Sequence, residues 1–128
     1  MLLQRAHTYQ AEPCLIAGDL NTIAPGDQVA IHALPLVLKL LVLAQGGHIF
    51  HSAIAALLSN GYTDCYRVMH RQRSGYTLPS DRPNARLDYL FVNRVLAPTL
   101  RHCEVITHPE AIRMASDHLP VVATFDIG

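Results

Sequence analysis

Three short runs rich in β-branched and aromatic residues crowd the last third of the chain: LDYLFV at 87 to 92, CEVIT at 103 to 107 and VVATFDI at 121 to 127. Such residues fit the pleated, half-buried surface of a sheet, and turn-forming residues separate the runs, so each is predicted to be a strand. A fourth run, CLIAG at 14 to 18, is apolar without polar alternation, which suits a strand covered on both faces and ended by Gly18. Between these lie helical signals. The apolar density from Val29 to about Ala44 fits a helix, interrupted at Pro35 and closed by Gly46 and Gly47. Residues 51 to 58 place Ile54, Leu57 and Leu58 at three- and four-residue spacing and predict a second helix, ended by Asn60 and Gly61. Helices early and strands late predict a mixed α/β layered (α+β) domain.

The length of 128 residues, half of them hydrophobic, fits one core. Ten basic and ten acidic residues cancel, so no long-range field draws the chain toward nucleic acid or acidic membrane. Any phosphate binding must be local. Cys14, Cys65 and Cys103 are an odd number at wide spacings without a CxxC pair, which implies reduced thiols and a cytoplasmic location. The first ten residues carry Arg5 and no long apolar stretch, so neither a signal peptide nor an anchor is expected there. LPLVLKLLVLA at 34 to 44 carries Pro35 and Lys39 and falls far short of the roughly 20 residues a bilayer requires. It is expected to be a buried or partner-facing helix rather than a membrane span.

Three places carry candidate chemistry. In GDLN, alternation along a strand would point Asp19 and Asn21 one way and Leu20 into the core. A carboxylate can orient water or bind a hard cation, and a neutral amide beside it can donate to a phosphate oxygen. The same residues also make an ordinary turn. In RLDYLFV, Asp88 interrupts an apolar strand, so it must be paired or face a cleft; a salt bridge to Arg86 or Arg67 and a functional role both satisfy that need. In ASDHLPVVATF, Ser116, Asp117 and His118 precede a strand and can act as a metal or proton-relay group, or simply cap a loop.

Further back, residues 67 to 86 read as an extended, exposed loop. Its basic residues Arg67, His70, Arg71 and Arg73, with Arg82 and Arg86 beyond, can steer a phosphate-rich substrate or form a solvated surface. Tyr76 offers a ring that can stack on a base or sugar. His48 and His51 stand three apart, with Cys65 or His70 as conceivable zinc partners, but no further ligand falls at a convincing spacing.

Taken in order, IAGDLN, RLDYLFV and SDHLPVVATF resemble the carboxyl-terminal half of the endonuclease/exonuclease/phosphatase superfamily, the deoxyribonuclease I-like fold. GYTDCYR and the stretch leading into RLDYLFV are similar to the same family, while residues 28 to 58 match only loosely. The resemblance implies one partial domain over residues 1 to 128, half of a four-layer α/β sandwich, with a mostly antiparallel or mixed sheet and helices on one face. It implies a phosphoesterase of phosphodiesterase or nuclease type using Mg²⁺ or Mn²⁺, acting on nucleic acid, nucleotides or phospholipid headgroups. By that resemblance Asp19 positions the attacking water and helps hold the metal, and Asn21 hydrogen-bonds phosphoryl oxygens. Asp88 orients His118, His118 stabilises charge on phosphorus, and Asp117 lies at the metal. Arg86 and Tyr76 are the accompanying candidates for substrate contact.

Family members are longer, and their amino-terminal half supplies an early Asn and the principal metal-binding Glu. The three glutamates here, Glu12, Glu104 and Glu110, match no such motif. Weak metal binding and feeble or absent activity of the chain alone are therefore expected. A homodimer or association with a missing half is expected as well, with residues 34 to 44 as a candidate contact. The alternative is a non-catalytic relative acting through self-association or partner binding.

Overall fold

The computed structural model describes residues 11–28 and 52–128. Strand β1 (Leu15–Asp19) is followed by helix α1 (Ser52–Ser59), a short strand β2 (Thr63–Asp64) and helix α2 (Cys65–Met69). Strand β3 (Asp88–Val92), a 3₁₀ turn (Ala97–Thr99), β4 (Leu100–Val105), helix α3 (Ala111–Ala115) and β5 (Val121–Phe125) complete the described chain. The predicted strands and the helix at 51 to 58 are thus present with shifts of a few residues at their ends. The helix expected from Val29 to Ala44, the 34 to 44 contact segment, His48 and His51 lie outside the described residues.

Two antiparallel sheets are built from these strands, one in the order β1-β3-β2 and the other a β4-β5 pair. Residues directly opposite each other share a face, so the register of β1 on β3 sorts their side chains. Ile16, Tyr89 and Phe91 face α1, where Ile54 and Leu57 complete a core cluster with Tyr62 and Ala24. Leu90 and Val92 face the other way, onto α2 and the β4-β5 pair, in a second cluster with Cys65, Tyr66, Leu100 and Cys103. Burial pushes the Cys65 thiol up to about 12 and the Cys103 thiol up to about 11, so both stay protonated and act as small apolar fillers. Helix α1 ends where expected: Gly61 has φ +80°, and the amides of Gly61 and Tyr62 bond the carbonyls of Leu58 and Leu57.

Two expectations are corrected. The strand at 14 to 18 is not covered on both faces, because among the described strands β1 lies at the edge of its sheet and the β4-β5 pair packs on β3 instead. Leu15 is 47% exposed, and Ala17, Gly18 and Asp19 are exposed as well. The segment 67 to 86 is solvated only in part: residues 68, 71 to 74, 81 and 82 are exposed, but the rest is not. Arg86, Thr77, Ser80 and Asn84 are all buried, and the amides of Thr77, Leu78 and Ala85 bond across a tight loop. Helix α2 was not legible as a helix, although Asp64 caps it by accepting from the Arg67 amide at 3.1 Å.

Arg86 is the electrostatic centre of this region. Its guanidinium bonds both carboxylate oxygens of Asp64, at 2.9 and 2.6 Å, and donates through Nε to Asp27 at 2.6 Å. Arg67 meets the other oxygen of Asp27 at 2.6 Å, and the Tyr89 ring lies 4.5 Å from the Arg86 guanidinium carbon. Burial opposes the charge on Arg86, but the bonds to Asp64 and Asp27 outweigh it and hold the guanidinium firmly protonated. This network ties the segment after Asn21 to β2 and to the start of β3.

Candidate active site

The antiparallel register sets Asp19, the last residue of β1, directly across from Asp88, the first of β3. Two carboxylates side by side repel, and each needs a hydrogen-bond donor or a cation. Asp88 has one: its Oδ2 lies 2.8 Å from Nδ1 of His118, which comes from the loop between α3 and β5. Asp19 accepts the backbone amide of Asn21 at 2.8 Å, a local turn that ends the strand. Asn21 takes φ +47°, so alternation along β1 does not reach it. The turn, rather than the strand, decides where its amide goes. Turn and site are therefore the same structure at Asp19, not competing readings.

Neither arginine pairs with Asp88, contrary to one of the two open readings of that residue; Arg67 and Arg86 are engaged by Asp27 and Asp64. Ser116 does cap its loop, accepting the His118 amide at 3.0 Å, while the His118 side chain turns to Asp88. Asp117 is exposed beside it. Arg86, at 2% exposure, sits away from solvent in its ion pairs, which argues against substrate contact. Tyr76 is half-buried in the loop before Thr77.

The site opens onto a groove of about 330 Å³ lined by Ala17, Gly18, Asp88, Leu90, His118 and Val121. Its polar end carries the Asp88–His118 pair and its other end is apolar. A separate pocket of about 240 Å³, lined by Arg67, Arg71 and Arg73, is basic. Arg67 there is committed to Asp27 and to three backbone carbonyls, leaving Arg71 and Arg73 exposed at its rim.

His118 is held protonated to higher pH than its ordinary value of 6.5. The hydrogen bond to Asp88 is the main cause, opposed by partial burial and reinforced by the charges of Asp88, Asp19 and Asp117. A raised folded pKa makes the linkage sign definite. The pair contributes stability fully below about pH 6.5, and that contribution is lost as pH rises through the folded pKa. In an NMR titration the His118 midpoint is expected above 6.5 and to fall in Asp88→Asn. An unchanged midpoint in that variant would refute the assigned cause.

Asp19 and Asp117 supply hard oxygen donors of the kind Mg²⁺ takes, one or two carboxylates with water and substrate phosphate completing its shell. The fit is to a weak site, since no group of three or more His, Cys, Asp or Glu suited to a metal occurs among the described residues. Glu104 lies 3.3 Å from His102 and Glu110 3.6 Å from Arg113. His70 bonds the Cys103 carbonyl at 2.8 Å and Cys65 is fully buried, so neither is arranged for zinc.

The sequence matches no family model, and no curated protein matches it. Solved structures do. A variant of the 3′ phosphatase NExo from Neisseria, bound to product DNA hairpin, aligns at TM-score 0.69 and 26% identity over 96% of this chain and 49% of its own. An AP endonuclease from Archaeoglobus fulgidus aligns at TM-score 0.70 and 22% identity, over 98% and 52%. The chain has the deoxyribonuclease I-like fold. The 3′-5′ exonuclease NExo from Neisseria meningitidis gives TM-score 0.68 and 24% identity, over 96% and 49%. This deoxyribonuclease I-like chain therefore spans about half the length of the solved structures it matches. No helix among the described residues is long and apolar enough to cross a membrane.

Residues 19, 21, 88, 117 and 118 were all legible as candidates, Asp88 because it interrupts an apolar strand, Asp19 and Asn21 because they end one, and Asp117 and His118 as an Asp-His pair just ahead of one. Asp27, Asp64, Thr77 and Ser80, which support them, were not singled out. Only the capping position of Asp64, three residues before Arg67, gave a sequence signal.

Proposed function

We propose that Asp19, Asn21, Asp88, Asp117 and His118 form part of a nuclease-type phosphoesterase site that works with Mg²⁺ or Mn²⁺. The observation that carries this reading is the 2.8 Å pair of His118 with Asp88, set directly across the sheet from Asp19. Asp88 fixes the imidazole so that Nδ1 donates to the carboxylate, which leaves Nε2 to face the substrate. With its pKa raised by Asp88, His118 keeps a proton to higher pH than a free imidazole and so offers a donor to a phosphoryl oxygen as negative charge grows there. On this reading Asp19 takes a proton from, or orients, an attacking water, and Asn21 donates to the phosphate without adding charge. A cation held by Asp19 and Asp117 would polarise a phosphoryl oxygen.

Nucleic acid is the substrate class favoured by the 3′ phosphatase aligned over 96% of the chain, whose structure holds a DNA hairpin. Two carboxylates make a weak cation site, so the 128-residue chain is expected to cleave feebly unless further ligands join it. The exposed Leu15 and Ala17 of β1, continuous with the groove, and exposed Val122 on β5 favour a homodimer or an amino-terminal half as the source of those ligands. The test is Mg²⁺- or Mn²⁺-dependent cleavage of plasmid DNA and of a chromogenic phosphodiester by fractions sized with light scattering. Chelator-sensitive activity, concentrated in the larger species, is expected. Activity that survives the chelator would sink the metal-dependent reading, and none in any fraction would sink the enzyme reading and favour a non-catalytic, partner-binding chain.

A further inference from the structure

Thr77 and Ser80 belong to no helix or strand, yet they are 0% and 3% exposed. Two polar side chains buried in a loop must each be satisfied, and the partners they use are informative. The Thr77 hydroxyl oxygen accepts the amides of Leu87 and Asp88 at 3.2 and 3.3 Å, while its carbonyl accepts the Leu119 amide at 2.7 Å. Ser80 donates its amide to the Asp117 carbonyl at 2.7 Å and its hydroxyl to the Ser116 carbonyl at 2.7 Å, with the Arg113 carbonyl at 3.1 Å. Arg113 returns a bond to the Ser80 carbonyl at 3.0 Å. The residues before and after His118 are thus both held by one loop, and the same loop holds the amide of Asp88.

We propose that Thr77 and Ser80 are positioning residues that lock the loop carrying Asp117 and His118 onto the start of the Asp88 strand. The geometry requires such a device. Asp88 is fixed by the sheet, whereas His118 arrives on a loop, and loops are ordinarily the more mobile elements. A 2.8 Å contact between their side chains persists only if the two backbones are held in register. Thr77 does this alone in part, because its side chain binds one side of the pair and its carbonyl the other. Its catalytic meaning rests on the function proposed above; the locking of the pair does not.

The test reads the imidazole directly, by long-range ¹H–¹⁵N correlation spectra at mildly alkaline pH. In the unsubstituted chain His118 is expected as a single tautomer, protonated on Nδ1 and shielded from solvent exchange by Asp88. Thr77→Val keeps the shape but removes the acceptor, and is expected to lose that single-tautomer signal while amides of β4 stay in place. Thr77→Ser restores the hydroxyl and is expected to retain it, and Ser80→Ala is expected to weaken it. A folded Thr77→Val with an unaltered His118 signal would overturn the proposal, as would Thr77→Ser losing the signal as fully as the valine variant. Should Thr77→Val fail to fold, Ser80→Ala decides by the same signal, unchanged meaning refuted. A signal that moves as expected in protein with no cleavage activity would leave the lock standing and count only against the enzyme reading.

Discussion

Arg86→Met is expected to cost the domain about 3–5 kcal/mol, the usual consequence of removing one partner from a buried ion-pair group. The carboxylates it leaves behind are themselves buried, with side chains 3% exposed at Asp27 and 7% at Asp64. Arg67 can still neutralise Asp27, but among the described residues only the Arg67 amide then reaches the side-chain oxygens of Asp64. Small domains are stable by only about 5–15 kcal/mol, so the loss removes a large share of the whole. Denaturant unfolding followed by two probes measures it. Arg86→Lys is expected to recover little, because an ammonium cannot present the fork that meets both oxygens of Asp64 and Asp27 together. Adding Asp64→Asn to Arg86→Met is expected to recover part of the loss, since it removes the uncompensated charge. A cost under about 1 kcal/mol, the level of a surface pair, would show that the network is solvated and the burial misleading.

Asp88→Asn is expected to behave in the opposite way, with little change in stability and a loss of cleavage of about 10²–10⁴-fold, the range of a lost acid–base contribution. The pair is partly solvated, His118 at 27% and Asp88 at 21% side-chain exposure, so solvent screens most of its contribution to the fold. Its contribution to chemistry is different in kind. An asparagine presents either an oxygen or an NH₂ to the ring, and the NH₂ makes Nδ1 an acceptor, so that the neutral ring carries its proton on Nε2 instead of Nδ1. It also withdraws the charge that keeps His118 protonated. His118→Ala is expected to lose as much, and the double variant no more than either, because the two residues act as one unit. The measurement is kcat and KM for Mg²⁺-dependent cleavage, with the loss expected in kcat. Cleavage by Asp88→Asn within a few-fold of the original would remove the pair from the reaction.

The candidate site was readable because its residues violate local rules. An acid inside the apolar strand at 88, a polar turn after the strand at 19 and an Asp-His pair ahead of a strand each conflict with packing alone, and such conflicts concentrate where function is. What they could not show is that Asp19 and Asp88 sit across from each other. That follows from the pairing of β1 with β3, between residues 69 positions apart, and no local pattern encodes a register at that distance. The same limit explains the error over residues 67 to 86. Arg, Ser, Pro and Asn normally mark solvated loops, and a polar stretch is buried only when distant groups satisfy it, here Asp27, Asp64 and the loop before β5. It explains the edge exposure of β1 as well, since an apolar strand looks the same in sequence whether or not something covers its second face.

Local residue choice by itself determined where strands would form, where α1 would stop at Gly61, and which acids, amide and imidazole were candidates for phosphate chemistry. Tertiary structure decided that Asp88 binds His118, as the family resemblance implied, rather than an arginine, that Arg86 is a buried clamp in its ion pairs, and that a loop through Thr77 and Ser80 joins the two halves of the pair. The physical reason is common to all three. Propensity and capping act over a few residues, whereas the cost of burying a charge or a hydroxyl is set by whichever partner the fold brings to it.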